Sequence, residues 1–179
     1  MNRNGDWMQT FTGRKFWPLD PRAEEVSIVD IAHSLSNQCR YAGHCKDFYS
    51  VAQHSVLVSA ICDPEDALWG LLHDAAEAYL VDLPRPIKRF SEIGVHYKKA
   101  ETALLVAISE RFHIPVTEPA SVKKADNVAL MTEKRDLMSQ SPEEWIEERT
   151  TKPMVARILP WSPTLAKAEF LRRFEELTK

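Results

Sequence analysis

Apolar residues recur along most of this chain at helical intervals. Ser27 precedes Ile28, Val29, Ile31, Ala32 and Leu35, a short helical stripe with Ser27 or Asp30 near its start. Val51, Val58 and Ile61 keep the same spacing across residues 50–62. Asp63-Pro64-Glu65-Asp66 opens the next helix, with an N-cap carboxylate, a proline in the first turn and acids against the positive end of the dipole. Leu68, Leu71, Leu72, Ala75 and Tyr79 carry that helix to about Leu80, and Asp82-Leu83-Pro84-Arg85-Pro86 ends it. The pattern predicts a long helix from about Glu92 to Phe112, and another from about Pro119 to Gln140 on Val122, Ala125, Ala129 and Leu130. Ser141-Pro142-Glu143-Glu144 reads as a capping box with proline at the first helical position. Ser162-Pro163 starts a last amphipathic helix carrying Leu165, Phe170, Leu171, Phe174 and Leu177. Residues 1–26 lack this period; Trp7, Phe11, Phe16 and Trp17 alternate with polar residues there, and a short β-hairpin fits. The expectation is an all-α single domain of roughly five or six main helices. It divides into an irregular segment 1–26, a helical core 27–140 and C-terminal helices 141–179.

Composition narrows the class. The length of 179 residues suits one domain, and 44% hydrophobic with 27% charged residues is ordinary for a globular chain. Lys plus Arg is 23 against 26 Asp plus Glu, and the net charge of −3 disfavours a long nucleic acid bound on a basic face. Five glycines argue against a turn-dense β-barrel, and the lack of GxxxxGK or GxGxxG excludes a glycine-rich phosphate loop. No apolar run approaches the roughly 18 residues of a membrane span. Met1 to Thr12 form a polar stretch without a signal core. Three cysteines, Cys39, Cys45 and Cys62, without a CxxC suit free thiols in a reducing cytoplasm.

The chemistry lies where polar groups interrupt apolar stripes. His54 falls between Val51 and Val58 on one face. His73 and Asp74 sit within Leu71-Leu72-His73-Asp74-Ala75-Ala76, and Asp126 lies four after Val122 and three before Ala129. A buried carboxylate is costly unless paired or bound to a cation. Singly, each has an ordinary explanation: a satisfied core histidine, a chance dipeptide, an Asp126 paired with Lys123 or Lys124. Together, on three helices, two imidazoles and two carboxylates suit one divalent ion such as Zn, Mn, Co, Ni or Fe, which would also staple the bundle. Glu77 lies four after His73 and three after Asp74, on the same helical face, where it could orient a water.

The order His54 … His73-Asp74 … Asp126 resembles the signature of the HD-domain phosphohydrolases. Val51-Ala52-Gln53-His54-Ser55, the block His73-Asp74-Ala75-Ala76-Glu77 followed by Asp82-Leu83-Pro84 and Pro86-Ile87-Lys88, and Lys124-Ala125-Asp126 are similar to the small 5′-deoxynucleotidases and their phage-encoded relatives. The resemblance covers roughly residues 38–135; residues 1–37 and 140–179 carry no motif of the bacterial enzymes, although the N-terminal stretch is similar to that of the phage-type members. It implies an HD helical bundle and a metal-dependent phosphohydrolase acting on a small nucleotide, first of all a deoxynucleoside 5′-monophosphate. It makes Glu77 a catalytic-site residue and gives Asp82 the role of acid toward the leaving sugar oxygen. Arg40 and Tyr41 would meet phosphate and sugar, with Lys88 a second phosphate ligand. A homodimer is common among the resembling proteins. Other readings stay open: a nucleoside triphosphate triphosphohydrolase, a two-iron oxygenase, or a non-catalytic module that senses nucleotides. His96 and His113 lack the spacing of a second metal site, and His33 and His44 stay unassigned, with a small knuckle of Cys39, His44 and Cys45 the remote alternative.

Overall fold

The computed structural model describes residues 3–179, so the first two residues of the expected 1–26 segment lie outside the described residues. A small hairpin leads the chain: β1 (Met8–Gln9) pairs antiparallel with β2 (Lys15–Phe16) in the register Met8 to Phe16. Helices then follow one another as α1 (Ile28–Asn37), α2 (Val51–Ile61), α3 (Ala67–Leu72), α4 (Glu77–Leu80), α5 (Arg85–Phe90), α6 (Glu92–Phe112), α7 (Ala120–Leu137) and α8 (Pro163–Leu177). The fold is all-α apart from this hairpin and an isolated bridge between Cys39 and Ser50. No helix among the described residues is long and apolar enough to cross a membrane.

Helix starts follow local chemistry. Ser27, Ser50, Ser91 and Ser162 each accept a backbone N–H from the first turn of α1, α2, α6 and α8, and Pro163 stands at the first position of α8. α2 is the central element, packed against α1, α3, α7 and α8. One side of it joins a core of Phe16, Ile31, Leu35, Leu71, Leu104, Ile108 and Phe170, and the other joins a smaller cluster of Trp69, Val122, Ala125 and Ala129. Val51 belongs to the first cluster and Val58 to the second, so His54 between them is held at the seam. At Gly70 a Cβ would come within 2.9 Å of Cys62 Sγ and 3.2 Å of Ser59 Cα, and this close crossing brings α3 and its His73 onto α2.

Two expectations change. The helix expected to run to about Leu80 is interrupted: residues 73–76 form turns between α3 and α4. There Ala75, Glu77, Ala78 and Tyr79 donate backbone N–H to residues three back, as in a tightened 3₁₀ turn. Side chains three apart eclipse in such a turn, so Asp74 and Glu77 point the same way. At Ser141-Pro142 no helix starts. The Ser141 hydroxyl engages the backbone of Glu143 instead, and only a 3₁₀ turn, Ile146–Arg149, forms. Its closure comes from Trp145 N–H donating to Glu148 Oε1 at 2.6 Å. The expected C-terminal helices thus reduce to that turn and α8, which packs on α1 and α2.

Candidate metal centre

Three elements bring four predicted ligands together. His54 comes from α2, His73 and Asp74 from the tightened turn after α3, and Asp126 from α7. Ligand atoms of His54, His73 and Asp74 all lie within 4.8 Å of one another. His73 Nε2 is 3.1 Å from Asp74 Oδ2, and His54 Nε2 is 3.6 Å from that oxygen and 3.4 Å from Asp126 Oδ1. The His54 and Asp126 side chains are 0% and 15% exposed, so the imidazole lies beneath carboxylates that reach toward solvent.

Each imidazole is locked by its far nitrogen. His73 Nδ1 lies 2.8 Å from the Gly70 carbonyl, which can only accept, so Nδ1 carries the proton. His54 Nδ1 donates to Glu133 Oε1 at 2.6 Å. In their neutral forms both histidines therefore present Nε2 lone pairs, and these nitrogens face each other at 3.2 Å with Asp74 and Asp126 beside them. Such a ring of acceptors demands a proton or a cation. A metal at imidazole distances of about 2.0–2.1 Å can meet both nitrogens across that gap. The electrostatics agree with this donor set. Burial and the Arg40 charge alone would lower His54, but Glu133 and Asp126 raise it to about 9. Burial alone would raise Asp74 and Asp126, and the histidines hold both below the usual carboxylate range.

Glu133 is the residue that sequence reasoning missed. It is fully buried on α7 and orients His54, as carboxylates behind metal-binding histidines do. Its second oxygen accepts from Arg40 Nε at 3.1 Å and from the Tyr41 hydroxyl at 2.6 Å. Burial would raise its pKa, but Arg40 and His54 hold it near 2. The sequence held one signal: Glu133 follows Asp126 by seven residues, two helical turns on one face, directly after Leu130-Met131-Thr132.

A cleft of about 1290 Å³ opens over this floor. Arg40, Tyr41, Glu77, Asp82 and Lys88 all line it with His73, Asp74 and Asp126. Arg40 is turned toward acids, with its NH1 3.6 Å from Asp74 Oδ2 besides the Glu133 contact. Glu77 is 5% exposed, and its Oε2 has no hydrogen-bond partner. Burial, then the charges of Asp74 and Asp82, hold Glu77 well above the usual carboxylate range. Burial likewise raises Asp82, whose backbone N–H is fixed by Gln38 Oε1 at 3.1 Å. Lys88 Nζ pairs with Glu101 at 2.5 Å, and Lys123 Nζ pairs with Asp126 at 2.9 Å, the ordinary partner anticipated for that acid. Gly94 lets α6 start against α5, because a Cβ there would collide with the backbone of Ile87 and Lys88. Backbone strain brackets the site: Tyr41, Ala42 and Val81 adopt φ of 56°, 52° and 84°, which non-glycine residues hold only when packing over-determines them. His44 lies on the cleft wall, while His33 lines a separate cavity of about 330 Å³. His113 caps the end of α6 in a left-handed conformation.

No family model matches the chain. It is 38% identical over 174 residues to the uncharacterized protein YfdR of Escherichia coli K12, spanning 97% of this chain and 96% of that one. It is 36% identical over 132 residues to the uncharacterized protein RCAP_rcc00048 of Rhodobacter capsulatus, spanning 69% of this chain and 66% of that one. With this identity over nearly the full length of both chains, the protein belongs to the YfdR family.

Proposed function

We propose that this chain is a metal-dependent phosphohydrolase of the HD type that removes phosphate from a small nucleotide, first of all a deoxynucleoside 5′-monophosphate. The observation that carries this reading is the pair of tautomer-locked imidazoles facing two carboxylates on the floor of a cleft. His54, His73, Asp74 and Asp126 would hold one divalent ion of the Zn, Mn, Co, Ni or Fe group. When bound, it supplies charge neutralisation at a phosphate oxygen and a water of lowered pKa.

The chain's own residues do the remaining work. Glu133 fixes the His54 tautomer. Arg40, between Asp74 and Glu133, brings positive charge to the mouth of the floor, and Lys88 brings more from α5. Glu77, held well above the usual carboxylate range by burial beside Asp74 and Asp82 and with its Oε2 unpartnered, is placed to orient the attacking water. Asp82, raised by burial, is suited to protonate the leaving sugar oxygen. The free cysteines support a reducing, cytoplasmic setting.

The test is phosphate release by protein loaded with Co²⁺, Mn²⁺ or Zn²⁺ on a panel of ribo- and deoxynucleoside mono-, di- and triphosphates. Orthophosphate from deoxynucleoside monophosphates is the expected product, and inertness on the whole panel overturns the reading. The cleft volume, with Arg89 and Lys98 on its wall, supports nucleoside triphosphates as the second substrate class, for which the product is inorganic triphosphate.

A further inference from the structure

We propose that Trp145, with Tyr41 beside it, is the seat for the base of the nucleotide, an inference that rests on the phosphohydrolase reading above. Trp145 belongs to the 141–150 segment, outside the stretch that carries the family resemblance, yet its ring lines the same cleft as the metal floor. The Tyr41 and Trp145 rings stand 6.4 Å apart at 44°, and Leu130, Met138 and Ile146 line the cleft with them. Both rings are half-buried.

Both are also held in place. The Tyr41 hydroxyl donates to Glu133 Oε2 at 2.6 Å, and Glu133 Oε1 accepts from the ligand His54 at 2.6 Å. The aromatic wall therefore begins directly behind the metal floor. Tyr41 and Ala42 keep successive left-handed backbones to present that ring. Trp145 is fixed through its backbone N–H to Glu148, which pairs with Lys134 of α7, while the adjoining Glu147 pairs with Arg85 of α5. Lys134 Nζ also stands 5.1 Å from the centroid of the Trp145 ring, so α7 holds the indole at the cleft while the residue stays partly exposed. Trp69 differs: its side chain is buried and its Nε1 donates to the Pro115 carbonyl at 2.8 Å, a structural role. A fixed, partly bare ring beside a phosphate site is a stacking platform for any base.

The test compares Trp145→Ala and Trp145→Phe with wild type on deoxynucleoside monophosphates and on base-free 2-deoxyribose 5-phosphate. Trp145→Ala should raise KM for the nucleotides about tenfold with kcat little changed, Trp145→Phe should retain wild-type KM, and neither should alter KM for the sugar phosphate. Calorimetry with unphosphorylated deoxynucleosides reads the same seat without turnover, and Trp145→Ala should abolish the heat. Equal losses on both phosphates would mark Trp145 as structural and overturn the inference. So would an unchanged KM, or the same KM rise on Phe90→Ala in its place, at the exposed ring where α5 meets the cleft. Hydrolysis that ignores Trp145 sinks only the base seat. Deoxynucleoside binding that needs Trp145, in a protein that hydrolyses nothing, sinks only the phosphohydrolase reading.

Discussion

Two corners of the molecule each bury a carboxylate close to a histidine, and they meet it differently. On α1, Asp30 and His33 lie three residues apart beneath the N-terminal hairpin. Asp30 is 3% exposed, and its oxygens accept from the Thr12 N–H at 2.7 Å and the Thr12 hydroxyl at 2.9 Å. His33 stacks on Phe11 with ring centroids 3.7 Å apart, and Lys167 sits 4.0 Å from the Phe11 centroid. Both Asp30 oxygens meet a donor there. On the floor of the large cleft two Nε2 atoms and two carboxylates converge on one another, with Lys123 and Arg40 reaching the carboxylates from outside. Burial of an acid is thus no sign of chemistry by itself. The informative feature is the sign of what faces it.

The largest test of this contrast is Asp74→Ala. It should remove both bound metal, measured by elemental analysis, and phosphate release, while the protein stays folded. Retained metal would erase the distinction between the corners. Glu133→Gln keeps the shape but weakens the hold on His54, and should cost about 10–100-fold in metal affinity by calorimetric titration. Asp30→Asn should leave that affinity unchanged and lower stability by about 1–3 kcal/mol, read from urea midpoints. Equal effects of the two on metal affinity would show that the corners are not separate.

A third acid sharpens the comparison on α7 itself. Asp136, one turn beyond Glu133, is 3% exposed and accepts from Arg135 and from the Ile158 N–H at 2.9 Å. The Arg135 hydrogen bond comes first among the causes that hold it below the ordinary value of 3.8. Its stabilisation is therefore complete above that value and is lost as pH falls through the lower folded value. Asp136→Asn should cost about 1 kcal/mol at pH 7 and progressively less at acid pH, with metal binding untouched at pH 7. A constant cost across pH would show that the carboxylate charge has no part in it.

The four residues that the fold gathers, His54, His73, Asp74 and Asp126, were legible because each is a polar exception on an apolar stripe, a pattern that needs only the helical period. Helix starts at Ser27 and Ser162 were legible because a cap is a contact within one turn. The break at 73–76 was not, since the period of three and that of 3.6 differ little over four residues. Ser141-Pro142 carried a valid start signal, but Glu148 and Glu147 further along met Lys134 and Arg85, partners outside the segment. Arg40 shows the same limit. The family resemblance implied a phosphate contact, whereas in the fold its guanidinium also reaches Glu133, 93 residues away.

By itself, then, the sequence determined the helical class and the caps at Ser27 and Ser162, and it singled out His54, His73, Asp74 and Asp126 as polar exceptions, because periodicity and capping are local physics. Only the tertiary structure decided which nitrogen of each histidine is free, that Glu133 stands behind His54, and that Tyr41 and Trp145 share a wall. Those facts depend on contacts between distant segments, and a hydrogen bond across 79 residues leaves no periodic trace in the chain.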